Sequence, residues 1–230
     1  ILSTNNKKSP FDNILVRKAM AYAIDRSELI DGAMFGNAVP IGSHFAPSHP
    51  DYIDLTGLYP HDLKKARQLL TEAGYPDGFE ASLKLPPPIY ARRTGELIAS
   101  QLAHVGIKIQ IENMEWAQWI DQVLRNRNFD LTVVSHVEPL DINIYANPNY
   151  YFGYDSPEFQ KIMTDIEAST DAVNSSRLYK LAQQKIADDI NLLTCFRTDK
   201  DTNYGVMSDI LQQLKEANTL RVQFEAKLKR

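Results

Sequence analysis

GIKIQIENMEWAQWIDQVLRNRNFDLTVVS, residues 106–135, carries two different periods in thirty positions. Ile107, Ile109 and Ile111 alternate with Lys108 and Gln110, the period of a strand with one buried face. From Trp116 to about Arg127 the residues read as an amphipathic helix, and Phe129 to Ser135 reads as a strand again. A helix of crossover length between two strands is a βαβ unit, and a right-handed crossover predicts that the two strands are parallel neighbours.

Upstream, Phe79 to Leu85 reads as a further strand, stopped by Pro86-Pro87-Pro88, because proline has no N–H to give to a ladder. A helix from about Tyr90 to Val105 links it to Ile107. Before it, Leu63, Ala66, Leu69, Leu70 and Ala73 make a helical stripe that Gly74 ends, ahead of the turn Pro76-Asp77-Gly78. Residues 37–60 are rich in Pro, Gly, His and Ser without a sustained period and read as a long surface connection. Nearer the start, Val16, Met20, Ala23 and Ile24 form one stripe with Asn13 as its N-cap, and a second helix runs from a cap at Ser27 to Gly36. Ile1-Leu2-Ser3-Thr4 reads as a strand already under way, which suggests a chain that starts inside a domain. Downstream of a Pro/Asn/Tyr-rich loop from His136 to Asp155 come helices striped by Phe159, Ile162, Met163, Ile166 and by Leu178, Ala182, Ile186, Ile190. A buried strand is expected over 191–196, and 207–230 is a helix-prone tail without a clear stripe. The alternation of helices and strands is that of an α/β layer structure.

Composition narrows the functions. With 25 Lys+Arg against 29 Asp+Glu the net charge is −4 and the pI about 5.8, which leaves no basic footprint for nucleic acid. An apolar fraction of 43% is enough for a core, and no run of about 18 apolar residues would span a bilayer. Residues 1–8 do not read as a signal peptide. The one cysteine, Cys195, reads as a small buried hydrophobe and says nothing about compartment.

No nucleophile elbow, phosphate loop, His-Glu-x-x-His or Cys-x-x-Cys occurs, so no cofactor is called for. His44, His49 and His61 match no metal-ligand spacing and read as a solvated, unrelated trio. The densest polar cluster, His136, Glu138, Asp141, Asn143 and Tyr145, follows the last strand of the βαβ unit. That is where open α/β sheets place ligands, although turn and cap duties would account for the same residues. Tyr145, Tyr150, Tyr151, Phe152 and Tyr154 offer rigid aromatic faces, most of them expected to pack on the domain. Trp119 reads as core, while Trp116 is a candidate for either core or cleft. Tyr90, Arg92 and Arg93 stand just beyond the triple proline, the arginines being the best-placed cations for a carboxylate or hydroxyl group, with a solvated helix face the alternative for at least one.

Pro10-Phe11-x-Asn13-x-x-Val16-Arg17-x-Ala19-x-x-x-Ala23-Ile24-Asp25-Arg26 resembles the signature helix of the peptide/nickel (oligopeptide/dipeptide-binding) class of periplasmic solute-binding proteins of ABC importers. Leu69-Leu70-x-Glu72-Ala73-Gly74-Tyr75, Gly106-Ile107, Glu115-Trp116, Phe129-Asp130 and Gly153-Tyr154-x-Ser156-Pro157 resemble later blocks of the same class, in order, and Arg177-x-x-Tyr179 with Ile186-Ala187-Asp188-Asp189 its last helices. Together with the βαβ pattern, the resemblance implies an α/β lobe of the type II periplasmic-binding-protein-like fold, a short mixed sheet flanked by helices. Residues 1–206 would be the C-terminal ligand-binding lobe and 207–230 a tail, with an N-terminal lobe missing. It implies a small polar solute or short peptide as ligand, an ABC permease as partner, and a periplasmic or lipid-anchored location. Where members of the class carry a Gly-Trp pair and then an aspartate, this chain reads Ser135-His136-Val137-Glu138-Pro139-Leu140-Asp141, so the acid that meets a ligand's amino group would be Glu138 or Asp141. Arg17 and Asp25-Arg26 are given structural roles. Two alternatives differ in class: an enzyme on the same fold using His136 with Glu138 or Asp141, marked by a nucleophile near His136, and a sensing or scaffold module, marked by loss of the concave aromatic face.

Overall fold

The computed structural model describes residues 1–136, 141–189 and 192–193. Its five-stranded sheet has the order β3-β2-β4-β1-β5, with β1 Leu2–Thr4, β2 Phe79–Leu85, β3 Ile107–Asn113, β4 Leu131–Val133 and β5 Leu192–Leu193. β2 runs parallel to β3 from Phe79↔Ile107 to Leu85↔Asn113 and parallel to β4 at Leu83↔Leu131 and Lys84↔Thr132. β1 lies antiparallel between β4 and β5. The sheet is mixed, as expected, but the expected pairing of β3 with β4 is corrected: β4 sits on the other side of β2. The burial pattern gives the reason. All three residues of β4 are buried, as suits a central strand, while β3 alternates and keeps an exposed face, as suits an edge.

The helices are α1 Ile14–Ala23, α2 Arg26–Met34, α3 Leu63–Glu72, α4 Ile89–Ala103, α5 Trp116–Trp119, α6 Pro157–Ala168 and α7 Ala172–Asp189. Asn13 caps α1 through Leu15 N–H. The cap of α2 is Asp25, which accepts from Ser27 and Glu28 N–H, in place of the expected Ser27; a carboxylate one residue before the first turn is a better acceptor for those orphan donors. The expected helix from Trp116 to Arg127 is one turn of α-helix that widens into π-helical turns over Ile120–Arg125 and is capped by Asn126, ahead of Arg127, whose φ is 54°. The widening coincides with a buried cation: Lys84 Nζ donates to Gln122 Oε1 and to Asn128 O, both at 2.7 Å.

Two apolar clusters cover the two faces of the sheet. Leu83, Leu85, Leu131 and Val133 join α1, α3 and α4 in one, through Met20, Leu70, Ile98 and Leu102. Trp119, Phe129, Tyr151, Phe152 and the inner faces of α6 and α7 form the other. Thr132, between Leu131 and Val133, takes the indole N–H of Trp119 at 2.9 Å and donates to Lys84 O at 2.7 Å, so a buried hydroxyl is satisfied on both sides. The expected strand 191–196 is described only at Leu192–Leu193, and Ile190, Cys195 and the 207–230 tail lie outside the described residues.

Candidate functional site

The carboxyl ends of parallel β2 and β4 lie side by side, and the first turn of α4 follows directly from the prolines that end β2. Tyr90, in that turn, accepts the Ser135 N–H at 2.9 Å and so ties α4 to the exit of β4. Burial pushes its phenol up to about 12, and it stays protonated.

One residue on, His136 Nδ1 lies 3.5 Å from Asp141 Oδ2, and its Nε2 is 3.1 Å from Tyr151 Oη, which in turn bonds Ser3 Oγ at 2.8 Å. The other carboxylate oxygen of Asp141 is 3.0 Å from His44 Nε2, an ion-pair contact without the alignment of a hydrogen bond. His44 Nδ1 meets Tyr145 Oη at 3.2 Å. The side chains of His44, Asp141 and His136 are 10%, 15% and 16% exposed, so one carboxylate lies almost buried between two imidazoles. With Asp141 ionised, the nitrogens facing it carry protons and the opposite nitrogens accept from the two phenols. Burial alone would raise the Asp141 carboxyl, but the two imidazoles outweigh it and hold the group well below the usual carboxylate range. Burial lowers His136, and the attraction of Asp141 does not fully offset it.

Both shifts make acid unfavourable. The unfolded chain takes up the His136 proton near the ordinary imidazole value of about 6.5, while the folded chain resists it, so stability falls as pH drops through that point. A second loss begins as pH falls below about 4, where unfolded carboxylates protonate and folded Asp141 does not. Asp130 adds to it: burial would raise its carboxyl, but bonds from Lys8 and Ser82 outweigh that and hold it low. Melting temperatures read from pH 8 to pH 3 should show both windows, and His136→Asn should flatten the upper one; an unchanged upper window would break the assignment.

Tyr145 is 3% exposed and packs against Phe152, Tyr154 and Phe159 while its hydroxyl reaches His44. Trp116 is 8% exposed and meets Trp119 edge to face at 5.7 Å, which places it in the second cluster. Arg93 is exposed, with its guanidinium 4.8 Å from the ring of Phe35. Arg92 is partly buried, and its Nε is buried without a hydrogen-bond partner among the described residues. Glu138 lies outside the described residues. The structure thus gathers His136, Asp141 and Tyr145 into one network, with Tyr90 joined to it through Ser135.

Sequence reasoning missed His44. It is not solvated: the loop carries it to a carboxylate nearly a hundred positions away, and no local spacing could signal that. His49 stacks on Phe45 at 4.2 Å, and His61 lies 3.7 Å from Asp25, so the trio does find separate partners. Among the described residues no three His, Cys, Asp or Glu side chains are arranged to hold a metal ion. A cavity of about 40 Å³ behind His44, bordered by Arg26, Gly42, Tyr59 and Gln183, has room for a few waters and not for a solute. Both ring nitrogens of His136 are engaged, by Asp141 and Tyr151.

Residues 1–154 match the middle region of the bacterial extracellular solute-binding proteins, family 5. The chain belongs to that family. Heme-binding protein A of Haemophilus influenzae is 30% identical over 199 residues, 79% of this chain and 36% of that protein. Glutathione-binding protein GsiB of Pectobacterium atrosepticum is 30% identical over 242 residues, 94% of this chain and 47% of that protein. Among solved structures, the periplasmic binding protein DppA of Helicobacter pylori in complex with the peptide STSA superposes with a TM-score of 0.75 at 26% identity, covering 85% of this chain and 40% of that one. A dipeptide-binding protein of Pseudoalteromonas in complex with Met-Leu gives 0.77 at 26% identity, with 86% and 42% covered. The family 5 lobe described here therefore has the type II periplasmic-binding-protein fold. The chain spans less than half the length of these relatives.

Proposed function

We propose that this chain is one lobe of the solute receptor of an ABC importer. It takes a small polar solute or short peptide against the exit of β4 and the first turn of α4, closes on it with a second lobe, and presents the closed form to a membrane permease outside the cytoplasm. The observation that carries the reading is the position of the polar cluster. In open sheets of this kind ligands sit beyond the carboxyl ends of parallel strands, and His136, Tyr90 and Arg92 all stand there. Arg92 is the residue in that turn with a buried nitrogen still to be satisfied, which suits an acceptor group on the ligand. Relatives are named for glutathione and heme, and solved neighbours hold peptides, so carboxylate-bearing ligands recur among them. Asp141, and Glu138 outside the described residues, are the acids proposed for a ligand's amino group. Arg17, Asp25 and Arg26 keep structural roles. A binding role fits His136 better than catalysis, because the hydroxyl its Nε2 accepts from belongs to Tyr151, a phenol that is 2% exposed and bonded onward to Ser3.

The test is a thermal-shift and calorimetric screen of the two-lobed protein against Met-Leu, glutathione, hemin, oligosaccharides and amino-sugar conjugates. A saturable rise in melting temperature with one class supports the reading, since a ligand that binds only the folded state stabilises it. Arg92→Ala should then weaken binding about tenfold or more, the size expected for loss of a charged hydrogen bond. A protein that unfolds cooperatively and responds to none of them would overturn it.

A further inference from the structure

The His44–Asp141–His136 arrangement joins three segments that are far apart in the chain. His44 comes from the 37–60 connection, His136 from the exit of β4, and Asp141 immediately precedes the 3-10 helix Ile142–Ala146. Each imidazole is held on its far side as well, His44 by Tyr145 and His136 by Tyr151, so neither ring can turn away from the carboxylate without breaking a second contact. Tyr145 lies in the 3-10 helix, so His44 grips that helix twice, through Asp141 and through the phenol.

We propose that His44 is a positioning residue of the candidate site: through Asp141 it clamps residues 41–45 to the exit of β4 and to the 3-10 helix, and the clamp holds while at most one of the two imidazoles is protonated. One carboxylate can compensate one imidazolium. A second proton would leave a net positive charge on side chains that are 10–16% exposed, and among the described residues Asp141 is the one carboxylate paired with either ring. The groups packed around the pair do not help. Among the described residues, Tyr145, Tyr150, Tyr151 and Tyr90 are neutral phenols, and Arg26 borders the cavity behind His44. Acid therefore releases residues 41–45 from the exit of β4, in the range where imidazoles titrate. The clamp itself stands on geometry; its bearing on ligand binding rests on the receptor reading above.

The test needs no ligand, so its failure and the failure of the receptor reading are separate results. Histidine ring resonances of the 230-residue chain are followed by NMR from pH 8 to pH 4.5, with melting temperatures over the same range, for the wild type, His44→Gln and His44→Phe. Gln can donate to Asp141 but cannot take a proton. His44→Gln should therefore melt near the wild type at pH 7.5 and lose less on going to pH 5, and the His136 midpoint should rise once its competitor for Asp141 is gone. His44→Phe should melt lower than both at pH 7.5. If His44→Gln fails to fold, His136→Gln gives the reciprocal reading, a smaller loss of melting temperature on going from pH 7.5 to pH 5 than the wild type shows. An unmoved His136 midpoint in His44→Gln, an acid loss as large as the wild type's in whichever of the glutamine variants folds, or equal melting of His44→Gln and His44→Phe at pH 7.5, would overturn the clamp.

Discussion

Arg17→Met is expected to cost about 3 kcal/mol of stability and to lower the melting temperature by roughly 6–12 °C. The guanidinium is 8% exposed and donates to Phe11 O at 2.7 Å, Asp12 O at 3.2 Å and Asp189 O at 3.0 Å. Burial lowers its affinity for a proton, Asp189 and Asp12 restore part of it, and the group remains a cation. Its removal leaves buried carbonyls in two places at once: the turn that leads into α1, and the last residue of α7, where orphan carbonyls collect the negative end of the helix dipole. Tyr59 and Tyr154 also meet this end, donating to Ala187 O at 3.2 Å and to Asp189 Oδ2 at 2.5 Å, and they keep the loss from being larger. Arg17→Lys keeps a charge but cannot span three carbonyls, so it should fall between the two. Urea denaturation reads the stabilities. A change below about 0.5 kcal/mol, the size of an ordinary surface substitution, would show that the signature arginine has a task other than holding α7 to the turn before α1.

What was legible in the sequence, and what was not, follows from how local each signal is. The bounds of β2 can be read because a turn precedes Phe79 and three prolines follow Leu85, and both ends of a strand are then fixed by residues that cannot join a ladder. The stripes of α3 and α6 can be read because Leu69, Leu70, Phe159, Ile162, Met163 and Ile166 face a core at helical spacing. The neighbour of β4 could not be read from the alternation of β3 alone. Thr132 interrupts the apolar residues between Leu131 and Val133, so the burial of all three, the mark of a central strand, shows only in the fold. The widening after Trp119 coincides with bonds from Lys84, some forty positions earlier, and has no local signature. The site divides in the same way. His136, Asp141 and Tyr145 could be picked out because they follow a strand in a short polar run. His44 belongs to the same network through pairings over about a hundred residues, and only the fold brings it there.

Gly78→Ala should cost about 4 kcal/mol, whereas Gly74→Ala, four residues earlier, should cost about 1–2 kcal/mol. Both glycines have positive φ, 79° and 91°, so both substitutions carry the strain of a side chain in the left-handed region. They differ in what a Cβ would meet. At Gly74 nothing lies within 4 Å. At Gly78 a Cβ would overlap the backbone carbonyl of Gly106, itself at φ 87°, and a Cβ on Gly106 would lie 2.9 Å from Asp77 O. These two glycines stand immediately before Phe79 and Ile107, the first pair of the β2–β3 ladder. The collision is between backbones and cannot be relieved by a rotamer; it is relieved only if the first pairs of the ladder part. The damage then travels along β2, because β2 carries both β3 and β4 and leads into the turn of α4 that holds Tyr90 and Arg92. Chemical denaturation of the two variants measures the difference. Equal costs of about 1–2 kcal/mol would mean that the two turns can separate freely, and that the close approach of Gly78 to Gly106 is not what sets the β2–β3 register.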